Sequence, residues 1–444
     1  MKVIHKTKHL SSFRIIISGF ALMIITGSIL LMLPVSSRPE GGTPFFDALF
    51  TATSAVCVTG LVIHDTAAYW SEFGQLIIML LIQAGGMGIV TTAVSLAIMS
   101  GRKINLMQRR TLQEAISARH IGGIVRLTVF IIKTTIIVEF IGAAVMSPVF
   151  IKNFGILKGI WYSLFHSVSA FCNAGFDLMG AKEPFSSLTA FAENPLINIT
   201  VMLLIITGGI GFLTWEDIRI NKFRIKKYSM QSKMILTVTA ILIIVPAIYF
   251  YFGEYTDMPQ EKRVLVSLFQ SVTPRTAGFN TVDLSEMRSD SKAVMTVLML
   301  IGGSPGSTAG GMKTTTAAVL ICCAVSVFRR HESAGCFGRR IPADAIYRAA
   351  TILVMYLALF FGGGLIISRL EALPIGECLF ETASAIGTVG LSLGITTSLG
   401  TVSRIILILL MFFGRVGGLT LIFAALSNKT KINSQLPQEQ VTVG

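Results

Sequence analysis

A stretch that opens on Leu-Phe and closes on glycine recurs four times in this 444-residue chain, and that recurrence limits its possible folds more than any other feature. The four copies are LFTATSAVCVTG ending at Gly60, LFHSVSAFCNAG ending at Gly175, LFQSVTPRTAG ending at Gly278 and LFETASAIGTVG ending at Gly390. Their glycines lie 115, 103 and 112 residues apart. The third copy is one residue shorter, with Pro274 at the break. A long internal period means that one supersecondary unit is built four times.

Each copy sits between two apolar runs. Candidate spans cover 15–33, 74–99, 124–150, 195–213, 234–252, 294–327, 349–367 and 402–426. With 52% hydrophobic and only 14% charged residues, against roughly 25% charged in soluble domains, the chain is not a soluble globular enzyme. Mean hydropathy of +0.72 agrees. The first run follows Lys2, Lys6, Lys8 and Arg14 and imitates a signal peptide, but it is span length and Leu33-Pro34-Val35 is no small-residue cleavage site. It is therefore expected to stay in the mature protein as a first helix.

A formal charge of +14 raises the question of nucleic acid, and the distribution of charge answers it. Eight crossings put 1–14, 101–126, 219–233, 328–348 and 427–444 on one side, and these hold 23 of the 37 Lys and Arg. The positive-inside rule makes that side, with both termini, cytoplasmic. The outward segments hold 16 of the 23 acids, among them Asp47, Asp65, Asp177, Asp257, Asp283 and Glu381, and only 10 basic residues. Such a face concentrates cations at a pore mouth, or is an ordinary solvated surface. The six cysteines, Cys57, Cys172, Cys322, Cys323, Cys336 and Cys378, show no C-x-x-C spacing and are read as packing residues.

The segment 49–56 spans about 12 Å as a helix, too little to cross a bilayer, so it must enter and return. Irregular backbone at membrane depth survives only where protein buries it or where it lines water. Four such turns about one axis form a ring of carbonyls, and glycine permits the backbone angles that aim successive carbonyls inward. One such turn read alone is a helix C-cap; four in register point to a cation filter. The following span of each unit carries a second glycine cluster, at 85–88, 208–211, 302–306 and 414–418.

These four units, the CVTG, CNAG, RTAG and GTVG turns and the GGSPGSTAGG interruption resemble the Trk/Ktr/HKT superfamily of potassium transporters, and most of all the membrane (B-type) subunit of a bacterial Ktr potassium-uptake system. The resemblance runs from about residue 15 to the C-terminus. It implies an all-α integral membrane protein with four repeats of helix, re-entrant pore helix, filter loop and helix in pseudo-fourfold symmetry around one pore, and no enzymatic activity. The repeats are expected at 1–100 with a cytoplasmic N-terminus, 101–219, 220–330 with a glycine-rich gate loop at 302–311, and 331–426, followed by a cytoplasmic tail at 427–444. Filter carbonyls are expected from Cys57, Val58, Thr59 and Gly60; from Cys172, Asn173, Ala174 and Gly175; from Arg275, Thr276, Ala277 and Gly278; and from Gly387, Thr388, Val389 and Gly390. Glycine at all four positions goes, in the resembled family, with potassium rather than sodium.

The gate is expected at Gly302, Gly303, Ser304, Pro305, Gly306, Ser307, Thr308, Ala309, Gly310 and Gly311, where glycine at about 1 kcal/mol and proline at about 3 kcal/mol per position break the sixth span. An inert kink is the bland alternative. Arg415 is read as holding the loop closed through its carbonyls, as an electrostatic barrier, or as half of a buried pair, and Lys313 shares its roles. Arg275 is expected to turn away from the ion and pair with a carboxylate or with carbonyls behind the filter. Glu139 stays open between a dimer contact and a buried hydrogen-bonded acid, and Lys133, about 120° away on the same helix, snorkels to the cytoplasm.

Other motifs fail on context. The G-x-S-x-G at Gly302 to Gly306 lies in an apolar span with only His166 as a base, and no P-loop or G-x-G-x-x-G is present. The chain thus carries no nucleotide site. The resemblance implies a homodimer on a cytoplasmic ring of nucleotide-binding regulatory subunits, transported K+ with Na+ as a possible activator, and a bacterial cytoplasmic membrane. The basic loops at 102–119 and 219–233 are docking candidates for that ring or for anionic lipid. An inverted-repeat secondary transporter of another small solute is the rival, disfavoured because all four units run in the same sense.

Overall fold

The computed structural model describes residues 12–100, 104, 106–116, 123–181, 183–418 and 439. Residues 1–11, residues 102, 103, 105 and 117–119 of the basic 102–119 loop, and the expected tail at 427–444 apart from 439 lie outside the described residues.

Helices fall into four sets. The first has α1 (Ser12–Met32), α2 (Phe45–Cys57), α3 (Thr66–Tyr69), α4 (Glu72–Met87) and α5 (Ile89–Met99), followed by α6 (Leu106–Ile116). The second has α7 (Ile124–Phe154), α8 (Ile156–Phe171), α9 (Pro195–Gly209) and α10 (Phe212–Asn221). The third has α11 (Met230–Gly253), α12 (Gln260–Val272), α13 (Ser289–Leu300) and α14 (Thr314–Phe328). A small hairpin, β1 (Gly335–Cys336) with β2 (Arg339–Arg340), leads to α15 (Ala343–Glu371), α16 (Ile375–Gly387) and α17 (Thr401–Val416).

In each set a long outer helix comes first, and α1, α7, α11 and α15 are apolar and long enough to cross a bilayer. They are inside out relative to a soluble bundle. Leu22 and Ile25 on α1, Ile137 and Phe140 on α7, Ile244 and Val245 on α11, and Leu365 and Ile366 on α15 are all exposed. Those faces meet lipid, which has no need of charge. The short helices α2, α8, α12 and α16 lie innermost. The Phe of every Leu-Phe pair (Phe50, Phe165, Phe269, Phe380) is fully buried, which explains its place in the repeat, since deleting such a ring costs about 3 to 5 kcal/mol. Three of these helices begin after a proline N-cap, at Pro44, Pro259 and Pro374, whose fixed φ sets the chain's entry.

The sets close into a ring. Helix α4 packs on α8, α9 on α12, α13 on α16 and α17 on α2, so each set's inner helix lies against the next set's short helix. A clasp seals the last junction: Arg404 Nη1 on α17 donates to Asp47 Oδ1 on α2 at 3.0 Å, while His64 Nε2 lies 2.9 Å from Asp47 Oδ2.

The inner helices depart from expectation. The span expected to run unbroken over 74–99 stops at Met87, where α4 and α5 meet at 100°, and α9 and α10 meet at 95°. Gly88, Gly211 and Gly417 have φ of +84°, +90° and +84°, so the second glycine cluster breaks the helix in these sets as well as in the sixth span. The sequence reading assigned a break to the third set alone.

Candidate functional site

The four tetrapeptides share one backbone path. Their second residues, Val58, Asn173, Thr276 and Thr388, have φ of +57°, +60°, +64° and +50°, and their glycines have +90°, +70°, +78° and +91°. Alternating left-handed residues with ordinary ones turns carbonyls that would point to opposite sides of a strand toward a common side. Glycine meets that demand without strain; the other residues pay about 1–2 kcal/mol each.

Each glycine also touches the next turn. A methyl on Gly60 would overlap the carbonyl oxygen of Ala174, on Gly175 that of Ala277, on Gly278 that of Val389, and on Gly390 that of Thr59. Glycines and third-residue carbonyls therefore alternate around a closed ring. The side chains of Thr59, Ala174, Ala277 and Val389 are fully buried in the wall. The short helices end at the ring, with α2 capped by Val58 and α16 by Thr388, so their partial negative ends face the centre.

A hydroxyl five residues after each repeat's leucine pins each turn. The Gly60 and Gly390 N–H groups donate to Ser54 Oγ and Ser384 Oγ, both at 3.0 Å. Ser169 Oγ donates to Phe176 O at 2.6 Å and Thr273 Oγ1 to Phe279 O at 2.5 Å. Sequence reasoning passed over this position, although Ser, Ser, Thr and Ser align in the four copies. The residue two after the leucine braces the loop beyond the turn in two sets. His166 Nε2 accepts from Leu178 N at 3.3 Å, and Glu381 accepts from Leu393 N at 3.1 Å and Thr396 Oγ1 at 2.7 Å.

Outside the ring lies a cavity of about 940 Å³ lined by the four glycines and by Asp65, Asp177, Glu183, Glu254, Asp257, Asp283 and Glu286, with Lys262 the one basic residue of its lining among the described residues. Burial pushes Asp177 up to about 7, against the lowering effect of the Met179 N–H it accepts; the nearby Asp65 carboxylate pushes it further up.

Inside the ring, residues 301–313 interrupt the span between α13 and α14. This loop borrows its hydrogen bonds from other sets. Ser304 N donates to Gly209 O at 3.0 Å, Thr308 N to Gly208 O at 3.3 Å and Gly311 N to Gly414 O at 3.2 Å, while Gly306 O accepts from Phe212 N at 2.7 Å. A methyl on Gly310 would overlap Thr388 Oγ1, so the loop lies directly against the fourth turn. Three successive loop carbonyls are held by cations: Arg415 Nη1 donates to Thr308 O, and Lys313 Nζ to Ala309 O at 2.7 Å and Gly310 O at 3.2 Å. Arg415 Nη2 also donates to Gly85 O, and to Gly86 O at 2.9 Å. Of the three readings open for Arg415, the structure shows the contact with loop carbonyls. A cavity of about 340 Å³ lies beneath, lined by Gly86, Glu114, Pro305, Gly306, Lys313 and Arg415 among others.

One expectation about a side chain fails. Arg275 is buried, and its Nε and Nη1 have no partner among the described residues, neither the carboxylate nor the carbonyl expected. Proline 274 and the missing residue make the third turn end differently, and no acid stands where Glu381 stands in the fourth. Glu139 is a buried, hydrogen-bonded acid, accepting from Gln83 Nε2 at 3.2 Å, and Lys133 is exposed. Ser304 Oγ lies 3.0 Å from Thr314 Oγ1, with no histidine contact among the described residues, so the arrangement a hydrolase motif needs is not seen there.

Comparison with known proteins agrees with this architecture. A family model described as TrkH, cation transport protein, matches residues 6–434. The chain is 40% identical over 448 residues to the potassium/sodium uptake protein NtpJ of Enterococcus hirae, covering 98% of each chain. It is 37% identical to Ktr system potassium uptake protein B of Bacillus subtilis, with 96% of this chain and 95% of that one covered. The crystal structure of the potassium transporter TrkH from Vibrio parahaemolyticus superposes with a TM-score of 0.75 over 95% of this chain and 86% of that one at 17% identity, which speaks for the fold. The chain is a mostly helical, multi-pass membrane protein and not an enzyme, and it belongs to the TrkH family of cation transport proteins.

Proposed function

We propose that this chain takes up potassium across the bacterial cytoplasmic membrane through a channel-like selectivity filter made by the four turns, gated by the loop at 302–311. The observation that carries the reading is the closed ring in which four positive-φ glycines alternate with four carbonyls from successive repeats. Potassium enters such a ring by exchanging its hydration shell for carbonyl oxygens of matching number and field. The negative ends of four short helices and the acidic vestibule raise cation concentration at the mouth. An inside-negative potential then favours inward passage by about 2.3 kcal/mol per 100 mV.

Arg415 and Lys313 hold the loop across the inner end of the ring, and while they stay there their charges oppose a cation leaving the filter. Opening requires them to release the carbonyls of residues 308–310. The repeats are taken as 1–100, 101–219, 220–330 and 331–426, with the tail at 427–444 and both termini cytoplasmic. Two copies on a cytoplasmic ring of nucleotide-binding subunits supply the release signal in this reading, in keeping with relatives named as parts of a Ktr system. Sodium is the candidate activator or second cargo, as the name of the Enterococcus relative includes it.

The test is cation flux into proteoliposomes holding the purified chain, comparing potassium, rubidium, sodium and lithium, with Gly278→Ser beside the native protein. Preferential entry of potassium and rubidium that the substitution abolishes is the expected result. No cation entry, even with a regulatory ring added, refutes the pore.

A further inference from the structure

Among the described residues one side-chain hydrogen bond joins the loop to the filter. Thr308 Oγ1, in the loop, lies 3.0 Å from Asn173 Oδ1 and 3.0 Å from Phe171 O, so its single proton serves the second turn from below. The amide's other end faces away from the loop. Asn173 Nδ2 donates to Arg275 O, in the third turn, at 3.2 Å and to Ile205 O on α9 at 3.4 Å. Two protons meet two carbonyls and the oxygen meets a hydroxyl, which settles the orientation of the amide by its partners.

The pair is asymmetric within the ring. Val58, Thr276 and Thr388 occupy the corresponding positions, and the Thr276 and Thr388 hydroxyls have no partner among the described residues. Only the second turn carries a side chain there that accepts from the loop and donates to a neighbouring turn. Space is reserved for it: a methyl on Gly208 would lie 2.8 Å from both Asn173 Oδ1 and Thr308 Oγ1. On the loop's other side the Thr308 carbonyl is held by Arg415. A continuous run of hydrogen bonds therefore joins Arg415, Thr308, Asn173 and the Arg275 carbonyl.

We infer that Asn173 is a positioning residue that couples the loop to ion selectivity, setting the Arg275 carbonyl of the filter according to whether Thr308 is in place. This rests on the pore reading above and adds a link between gate and filter. With the loop seated, the hydroxyl fixes the amide and the amide fixes the carbonyl. Opening frees the 308–310 carbonyls from Arg415 and Lys313 while Thr308 Oγ1 stays on Asn173; where that hydroxyl is lost, the amide loses its acceptor-side partner and is free to rotate, and the third turn relaxes.

The experiment measures rubidium uptake into proteoliposomes in the presence of competing sodium, reading the sodium concentration for half-inhibition separately from the maximal rate. Thr308→Val keeps shape and removes the hydroxyl, and it is expected to make sodium about tenfold more effective as a competitor, while Thr308→Ser restores the native value. Asn173→Ala should match Thr308→Val, and the double variant should be no worse than Asn173→Ala alone, since both break one chain. Should Thr308→Val fail to fold, Arg415→Gln pulls on the same loop without touching a filter residue and should shift sodium competition in the same direction. A change in maximal rate with sodium competition unaltered, or effects that multiply in the double variant, overturns the coupling while leaving the pore intact. Absence of rubidium uptake by the native chain, even with a regulatory ring added, overturns both.

Discussion

The ring of four turns and the loop beneath it are both glycine-rich, irregular backbone in the middle of a membrane protein, yet they are held in opposite ways. Each turn is fastened by its own short helix: Thr59 N donates to Ser54 O, Ala174 N to Ser169 O, Ala277 N to Thr273 O and Val389 N to Ser384 O, all between 2.8 and 3.0 Å. The loop has bonds of its own, such as Gly302 N to Met312 O at 2.8 Å and Gly303 N to Gly310 O at 3.3 Å, but it also depends on Gly208, Gly209, Phe212, Phe171, Asn173, Gly414 and Arg415 from other sets. Restraints that come from one's own helix move with it; restraints lent by other segments are withdrawn when those segments shift. That contrast separates a fixed filter from a movable gate.

The contrast breaks first at the ring. Gly390→Ala forces a Cβ onto a φ of +91° and onto the Thr59 carbonyl, a cost of about 3 kcal/mol or more once overlap joins the strain. Potassium preference over sodium in liposome flux should fall roughly a hundredfold. Gly394 has a similar φ of +93° with nothing near its absent side chain, so Gly394→Ala should leave that preference nearly intact. Equal damage from both would show that strain rather than ring contact matters.

At the loop the direction reverses. Arg415→Gln removes charged hydrogen bonds of about 1.5–3 kcal/mol each from the loop's closed position, and rubidium flux through a folded variant should rise about tenfold. A fall in flux would place Arg415 in the scaffold instead. Ser384→Ala deletes one hydroxyl behind a turn that keeps its backbone bonds, worth about 1 kcal/mol, and should lower potassium preference about fivefold without raising flux.

The smallest effect belongs to the vestibule. A carboxyl raised to about 7 is charged above that pH and neutral below it, so as pH falls through 7 the mouth loses one negative charge at Asp177. The potassium concentration for half-maximal uptake should rise about twofold between pH 8 and pH 6 by loss of local attraction. Asp177→Asn should flatten that dependence; an unchanged slope would place the titration elsewhere.

Much of this was legible because it repeats. The period exposed the four turns, since each copy testifies for the others, and Leu-Phe marked where each copy opens. The hydroxyls at Ser54, Ser169, Thr273 and Ser384 were equally legible and went unread because Ser and Thr are common on any helix face. The bends at Gly88 and Gly211 were hidden because apolar residues continue across them, so hydropathy sees one span where backbone geometry sees two helices. Arg275 misled for another reason. A buried cation is ordinarily given a partner by chemical reasoning, whereas a side chain's neighbours depend on three other segments that no local pattern encodes.

The ring is built from one polypeptide, and each junction in it joins two non-identical surfaces. In an assembly of four equal chains, any altered residue appears at every quarter at once. Here Asn173, Arg275 and the interrupted sixth span each occur a single time, so a change at one quarter leaves three undisturbed. Fusion into one chain thus shortens the evolutionary step: ion preference and gating are open to adjustment a quarter at a time, through intermediates that still conduct.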